Sequence, residues 1–196
     1  MINDLLKGRT VILGSLSPRR RELLGKLDIG FDVTEPSASE IPPPCTPLHK
    51  VAETIALEKS RSIAGKLNGG DILITADTVV ISGKTLMPKP SCRSEAVSCL
   101  RRLSGGDHRV ITGVALIDAN RERLFSEETL VYFDRIDSTS IDYYIDRYKP
   151  YDKAGGYGIQ EWIGYVAVRR IEGCFYNVMG LPVNRLFKEL NLFLTS

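Results

Sequence analysis

The sequence lacks a long hydrophobic run, and this absence limits where the protein can work. No apolar stretch approaches the roughly 18 residues of a membrane span, and residues 1–7 do not open the apolar core of a secretion signal. We therefore expect a globular protein of the cytoplasm that has no membrane partner. With 196 residues and 43% hydrophobic content, the chain can build a substantial core in one or two compact lobes. We predict a single domain over residues 1–196.

Cysteine pairs and an excess of one charge are also missing. The four cysteines are widely spaced, none forms a Cys-x-x-Cys pair, and only His49 and His108 accompany them. Neither a zinc site nor a disulfide framework is indicated. The 26 Lys and Arg nearly balance the 24 Asp and Glu, for a net charge of +2. This is far from the basic balance of a general nucleic-acid binder, so the cations should serve local sites.

Several familiar catalytic motifs are incomplete. Gly83, Lys84 and Thr85 match the end of a P-loop, but Thr78 stands where its first glycine is needed. No Gly-x-Gly-x-x-Gly or Gly-x-Ser-x-Gly sequence occurs, which disfavours a dinucleotide-dependent hydride carrier and an esterase. The segment around Asp77 has no second aspartate two residues later. The paired-carboxylate nucleophile of aspartate-based phosphatases is therefore missing.

What the sequence does contain is a basic helix start after a short strand. Residues 11–14 predict a buried strand, and residues 17–27 predict a helix with Ser17 as N-cap and Pro18 at its first position. Arg19, Arg20 and Arg21 surround that start. Free N–H groups, the helix dipole and guanidinium forks would together hold a phosphate there. The alternative is a surface helix that is simply basic.

Two charged residues fall on patterns of buried residues. Lys59 shares the apolar stripe of a helix predicted from Thr46 onward, and it either lines a cleft or extends to water near the helix end. Asp77 interrupts a strand predicted over residues 71–81. A buried carboxylate is costly unless it is paired, bound to metal or placed in a pocket. Asp77 is thus the best candidate for chemistry, and the alternatives are an aspartate that caps a turn or one that forms a structural pair with arginine.

The remaining pattern predicts further strands and helices. A short strand covers residues 31–34, and residues 109–117 and 123–133 form an antiparallel hairpin. Between them lies a helix that ends at Gly105 and Gly106 and has a buried face of Ala96, Val97, Leu100 and Leu103. A helix follows around residues 141–148, and then a glycine-rich loop over residues 151–160. A strand at residues 165–171 and a helix after Pro182 end the chain.

These segments together resemble the Maf family of nucleoside triphosphate pyrophosphatases over nearly the whole chain. The matching segments are, in order, Ser-Leu-Ser-Pro-Arg-Arg at 15–20, Glu-Lys at 58–59, Ala-Asp-Thr at 76–78, Lys-Pro at 89–90, Asp-Lys-Ala-Gly-Gly-Tyr-Gly-Ile-Gln at 152–160 and Gly-Leu-Pro at 180–182. Each is weak alone, but their ordered occurrence is specific. Pro88, and Tyr148 with Lys149, depart from the family pattern close to these segments.

The resemblance implies an α/β fold with a mixed, twisted sheet flanked by helices, two lobes around a central cleft, and a homodimer. The sequence is similar to the branch of the family that cleaves dTTP and UTP to the monophosphate and pyrophosphate. The resemblance also implies modified pyrimidine nucleotides as further substrates. It implies Asp77 as proton acceptor, with Lys59 and Lys89 as catalytic cations. It also implies substrate contacts by Ser15, Arg19, Arg20, Thr78 and Gln160.

The chemistry of a triphosphate fits these residues. Its crowded negative oxygens require cations, and a divalent ion, Mg²⁺ or Mn²⁺, would bind Asp77 and, by family position, Glu40. Gln160 offers the donor and acceptor that match the edge of thymine or uracil. Two alternatives stay open. One is a nucleotide-sensing interaction protein that affects cell division, and the other is a nucleic-acid binder, which the near-neutral charge disfavours.

Overall fold

The computed structural model describes residues 2–195, which divide into two compact units. The first unit contains the chain up to Asp77, then Thr112–Glu127, and the segment from Gly180 onward. The second unit contains Thr78–Ile111 and Glu128–Met179. Two units agree with the expected two lobes. The single domain over residues 1–196 stays a prediction, and its first and last residues lie outside the described range.

Within residues 2–195, seven strands form one mixed sheet, which confirms the predicted α/β fold. Its order is β2-β1-β3-β5-β6-β7, and β4 pairs with β3. β1 is parallel to both β2 and β3, whereas the pairs β3–β4 and β6–β7 are antiparallel. The strands are β1 Val11–Gly14, β2 Asp32–Thr34, β3 Ile72–Ser82, β4 Thr85–Met87, β5 Asp107–Ile117, β6 Glu122–Phe133 and β7 Val168–Glu172.

Helices accompany the strands along the chain. They are α1 Ile2–Leu5, α2 Pro18–Gly25, α3 Val51–Ala64, α4 Arg93–Leu103, α5 Ser138–Tyr148, α6 Trp162–Ala167, α7 Phe175–Met179 and α8 Val183–Thr195. Short 3₁₀ turns cover Leu48–Lys50 and Ala154–Gly156. None of the helices in this part of the chain is both long and apolar enough to cross a membrane.

The core of the first unit brings the sheet very close to α3. A Cβ atom added to Gly113 in β5 would lie 2.3 Å from the backbone nitrogen of Glu53 in α3. A Cβ on Gly14 would lie 2.6 Å from Thr75 Cγ2 and 2.8 Å from Ile63 Cδ1. Side chains at these glycines would separate the sheet from the helix, since real Cβ atoms do not approach other atoms so closely. The glycines therefore fix the position of α3 over β1 and β5.

The core of the second unit is built around α4 and α5. Leu100 and Leu103 of α4 pack in one buried cluster with Phe133 of β6 and with Tyr144 and Ile145 of α5. These apolar residues recur at helical spacing, which is why the sequence predicted both helices correctly. The antiparallel pairing of β3 with β4 encloses Val80 and Met87 in the same cluster.

The predicted strand over residues 165–171 is wrong in its first half. The chain is helical in α6 as far as Ala167, and the strand begins only at Val168. Ile163 and Ala167 lie one helical turn apart and are both buried, whereas Tyr165 between them is exposed. Burial at a spacing of four favours a helix over an alternating strand.

Candidate functional site

The basic segment after β1 forms the helix start that the sequence predicted. α2 begins at Pro18, and the Ser17 hydroxyl accepts a hydrogen bond from the Arg20 backbone nitrogen at 3.5 Å. The Ser17 backbone nitrogen in turn donates to Ser15 Oγ at 3.3 Å. Ser15 is buried directly after the last residue of β1. The loop is therefore compact, and its N–H groups lie at the positive end of the helix dipole.

Arg20 is fixed beneath this loop rather than extended into solvent. Its Nε donates to the carbonyl oxygen of Gly180 at 2.9 Å, and its Nη1 donates to Ser15 Oγ at 3.4 Å. Burial lowers the pKa of Arg20, while the negative charges of Asp77 and Glu40 oppose that effect. An arginine stays protonated under such shifts, so the loop carries a permanent, oriented positive charge. Arg19 is half-buried and lies close enough to interact electrostatically with it.

Lys59 and Asp77 form a buried ion pair in the first unit. Lys59 Nζ lies 2.7 Å from Asp77 Oδ1 and 2.7 Å from Glu40 Oε1. The side chains of Lys59 and Asp77 are only 6% and 7% exposed, whereas that of Glu40 is 47% exposed. The alternative that Lys59 extends to water is therefore wrong. Because two buried charges cost desolvation energy, their pairing at this place needs a reason beyond packing.

The parallel register of β1 and β3 explains why these groups meet. Gly14 and Thr75 are the last paired positions, so Ser15 follows the pairing directly and Asp77 lies two residues beyond it in β3. The Thr75 hydroxyl donates to the carbonyl oxygen of Ala56 at 2.7 Å, which fastens β3 to α3 one turn before Lys59. The carboxyl ends of parallel strands are a common place for ligands in open α/β sheets. The basic loop and the acidic side chain thus share one such edge.

Two carboxylates could together hold a divalent metal ion. Glu40 and Asp77 each place an oxygen at 2.7 Å from the same Lys59 ammonium, so their oxygens already converge on one cation. Across residues 2–195, no cluster of three or more His, Cys, Asp or Glu is arranged to hold a metal. Mg²⁺ usually binds one or two carboxylates and takes its remaining ligands from substrate phosphates and water. The donor set fits an ion that binds with its substrate.

The other predicted site residues belong to the second unit. Thr78 follows Asp77 in β3, so its side chain points to the opposite face of the sheet. Lys89 is exposed between Pro88 and the buried Pro90, and the Pro88 carbonyl accepts a hydrogen bond from the Gly155 nitrogen at 3.0 Å. Gln160 is half-buried, and within residues 2–195 its buried Oε1 has no hydrogen-bond partner.

The loop that carries Gln160 contains a network that the sequence did not predict. Lys153 is buried, and its Nζ lies 2.7 Å from Asp152 Oδ1 and 3.1 Å from Glu161 Oε1. Tyr144 donates its hydroxyl to Glu161 Oε2 and accepts from the Gly158 nitrogen at 3.0 Å. Burial and the Glu161 carboxylate raise the pKa of Tyr144, so its hydroxyl stays protonated. Lys153 lay in a segment the sequence singled out, whereas nothing in the sequence indicated Glu161.

Comparison with known proteins places the chain in one family. The family model described as "Maf-like protein" matches residues 10–193. The chain is 49% identical to the dTTP/UTP pyrophosphatase of Porphyromonas gingivalis strain W83, over 97% of each chain. It is 46% identical to the dTTP/UTP pyrophosphatase of Parabacteroides distasonis, over 96% of this chain and 98% of that protein. A third such protein, from Christiangramia forsetii, is 36% identical over the full length of both.

A solved structure of a nucleoside-triphosphatase (dITP/XTP pyrophosphatase) from Mycobacterium abscessus is a more distant match. It aligns with a TM-score of 0.40 and 13% identity over 66% of this chain and 76% of that one. This likeness is too weak to support an inference. The match over residues 10–193 and the full-length relatives are sufficient by themselves. The chain belongs to the Maf-like protein family.

Proposed function

We propose that this protein is a nucleoside triphosphate pyrophosphatase that hydrolyses dTTP and UTP to the nucleoside monophosphate and pyrophosphate. The observation that carries the proposal is the buried pair of Asp77 and Lys59 beside a basic helix start, at the place where the parallel pairing of β1 and β3 ends. Full-length relatives that bear the name dTTP/UTP pyrophosphatase support it. Modified pyrimidine nucleotides are the proposed further substrates, and the cytoplasm is the proposed location.

The first step is the binding of the triphosphate. Arg20 supplies a fixed guanidinium, and the start of α2 adds the positive end of the helix dipole. Lys59 supplies a buried ammonium close by. Arg19, and Lys89 of the second unit, are the additional proposed cations. Such charges neutralise phosphate oxygens that would otherwise repel an attacking water.

The second step is the attack of water on the α-phosphorus. Asp77 is the proposed proton acceptor because its carboxylate is buried. Among the described contacts, Lys59 donates to Oδ1 of this carboxylate, which leaves Oδ2 to accept a proton from the water. The water oxygen forms a bond to phosphorus, its proton passes to Asp77, and the bond to the bridging oxygen breaks to release pyrophosphate. General-base assistance of this kind contributes roughly 10²–10⁴-fold to the rate.

A divalent cation, Mg²⁺ or Mn²⁺, is the proposed cofactor. Asp77 and Glu40 would hold it, because their oxygens converge on one cation and Glu40 is exposed enough to turn toward an arriving ion. When bound, the ion would neutralise part of the negative charge of the phosphates. The contribution of the chain is to keep the two carboxylates together through their contact with Lys59.

The proposed contacts to the base are Gln160 and Thr78. A side-chain amide carries one acceptor and one donor on neighbouring atoms, which match the imide N–H and a carbonyl of uracil or thymine. The buried, unpartnered Oε1 of Gln160 is an acceptor suited to such an N–H group. Ser15 supports phosphate binding through its hydrogen bonds with the Arg20 side chain and the Ser17 nitrogen.

We also propose that the protein forms a homodimer and binds neither nucleic acid nor membranes. The exposed apolar side chains of Tyr165 and Val166 on α6 support self-association. The net charge of +2 supports the absence of a nucleic-acid partner.

The test is the release of pyrophosphate from a panel of deoxynucleoside and nucleoside triphosphates with Mg²⁺ or Mn²⁺. We expect turnover of dTTP and UTP in the native protein and a loss of at least about 10²-fold in Asp77→Asn. Asp71→Asn is a control, because Asp71 is also a buried aspartate, but it accepts a hydrogen bond from the Asn68 nitrogen at 2.8 Å in a turn. Nucleotide binding without turnover would contradict the proposed enzymatic function and favour the alternative of a nucleotide-sensing protein.

A further inference from the structure

Gln160 can recognise a pyrimidine only if its amide has a fixed orientation. Uracil and thymine present an N–H beside a carbonyl, whereas cytosine presents a ring nitrogen beside an amino group. A side-chain amide that is free to turn by 180° exchanges its donor and acceptor. It would then satisfy either base equally well. Selection of dTTP and UTP by this side chain therefore requires a neighbour that holds one orientation.

Glu161 has the position and the charge to be that neighbour. A Cβ atom added to Gly158 would lie 3.0 Å from Glu161 Oε2 and 3.1 Å from Gln160 Nε2, so both atoms border the space that the missing side chain leaves open. A carboxylate attracts an N–H donor and repels an oxygen. In the orientation described, Nε2 borders this space and Oε1 has no partner within residues 2–195, and a turn of the amide would exchange the two atoms.

The carboxylate of Glu161 is itself held from two sides. The Tyr144 hydroxyl donates to its Oε2, and the Lys153 ammonium lies 3.1 Å from its Oε1. Tyr144 is fully buried and Lys153 is nearly so, which limits the freedom of both partners. The Glu161 nitrogen also donates to the Gly158 carbonyl oxygen at 3.0 Å. The group thus forms a rigid support beneath the loop that ends at Gln160.

We propose that Glu161 is a positioning residue that fixes the orientation of the Gln160 amide and thereby sets the preference for uracil and thymine over cytosine. This inference rests on the proposed function, since it concerns the base of the same nucleotide substrate. Glu161 touches neither base nor phosphate in the proposal. It acts through Gln160, and the absence of a side chain at Gly158 gives the two groups their room.

The experiment compares Glu161→Gln with the native protein. This variant keeps the size of the side chain and an oxygen for the Tyr144 hydroxyl, but it removes the charge that distinguishes the two amide orientations. The readouts are the ratio of the dissociation constants of UTP and CTP, measured by equilibrium binding, and the ratio of their kcat/KM values. We expect the preference for UTP over CTP to fall about tenfold or more.

The matched control is Glu172→Gln. Glu172 accepts a hydrogen bond from the Tyr132 hydroxyl at 2.9 Å and pairs with Arg170 at 2.6 Å, so it repeats the tyrosine, glutamate and cation arrangement on the surface. This variant should keep the native preference. A second variant, Gly158→Ala, leaves every charge in place but pushes the Glu161 and Gln160 side chains apart, and it should also lower the preference.

Each outcome decides the proposal. If Glu161→Gln keeps the native preference for UTP over CTP, the positioning role of Glu161 is overturned. The same conclusion follows if the native protein binds UTP and CTP equally well. If Glu161→Gln fails to fold, an unchanged preference in Gly158→Ala would overturn it instead. If the native protein prefers UTP in binding but releases no pyrophosphate, the proposed function fails, and the binding ratios of the variants still decide the role of Glu161.

Discussion

Replacing Lys59 with methionine removes one half of the buried ion pair and leaves the other half in place. Methionine fills a similar volume in α3, so the perturbation is the loss of the ammonium and not of packing. Asp77, whose side chain is 7% exposed, then keeps a carboxylate without the cation that lies 2.7 Å away. Glu40 is 47% exposed and can turn toward water. The loss of stability should therefore arise mainly from the uncompensated charge of Asp77.

The charges around Asp77 set bounds on this loss of stability. Removing one partner of a buried ion pair typically destabilises a protein by about 3–5 kcal/mol. Arg20 remains as a positive charge that acts on Asp77, so the lower part of this range applies. We expect Lys59→Met to lower the free energy of unfolding by about 3 kcal/mol, whereas an exposed pair contributes about 0–1 kcal/mol.

The assay is urea unfolding at pH 7 of Lys59→Met, Asp77→Asn and the double variant. Because the double variant leaves no unpaired charge between the two positions, we expect it to be more stable than the sum of the single losses implies, by about 2 kcal/mol. Lys50 and Glu53 provide the control cycle, since their atoms lie 2.9 Å apart but the Lys50 side chain is 49% exposed.

Additive losses at Lys59 and Asp77 would refute the reasoning. They would mean that the two charges do not stabilise each other in the folded protein. A coupling energy no larger than that of Lys50 and Glu53 would lead to the same conclusion, because it would assign the buried pair the value of an exposed one.

Two further predictions concern stability. Burial lowers the pKa of His108 from 6.5 to about 4, so the unfolded chain binds more protons between these values, and stability that is present above pH 6.5 is lost as the pH falls toward 4. Unfolding free energies across that window should depend less on pH in His108→Gln, and equal slopes would contradict the argument. Gly113→Ala should prevent folding or strongly lower the melting temperature, because its Cβ would lie 2.3 Å from the Glu53 nitrogen. The control Gly65→Ala meets nothing within 4 Å and should not be destabilised, so similar melting temperatures for both would be inconsistent with the close contact.

The sequence predicted those parts of the fold whose burial follows one simple period. The helices over Arg93–Leu103 and Ser138–Tyr148 carry an apolar stripe, and β3 is a nearly continuous apolar run. The short α6 has only two buried residues, Ile163 and Ala167, and its exposed Tyr165 and Val166 favour a strand by propensity. Tertiary burial decides such a segment, and propensity alone could not reveal it.

The candidate site shows the same limit. Lys59 and Asp77 were conspicuous because each is a charge in an apolar pattern, and the structure pairs them. Glu161 is an ordinary surface residue by sequence. Its importance arises from Tyr144, which is 17 positions away, and from the missing side chain at Gly158. Relations of this kind depend on three-dimensional contacts, and single-sequence patterns do not contain them.

The hydrogen bond from Arg20 to the Gly180 carbonyl oxygen has a consequence for the synthesis of the protein. It joins residues that are 160 positions apart within the first unit, whose last segment begins at that glycine. A ribosome therefore completes every residue of the second unit before the first unit has all its parts. Since chains emerge at roughly 5–20 residues per second, Arg20 spends roughly 8–32 s without this partner. The loop between β1 and α2 can make this hydrogen bond only when Gly180 has emerged.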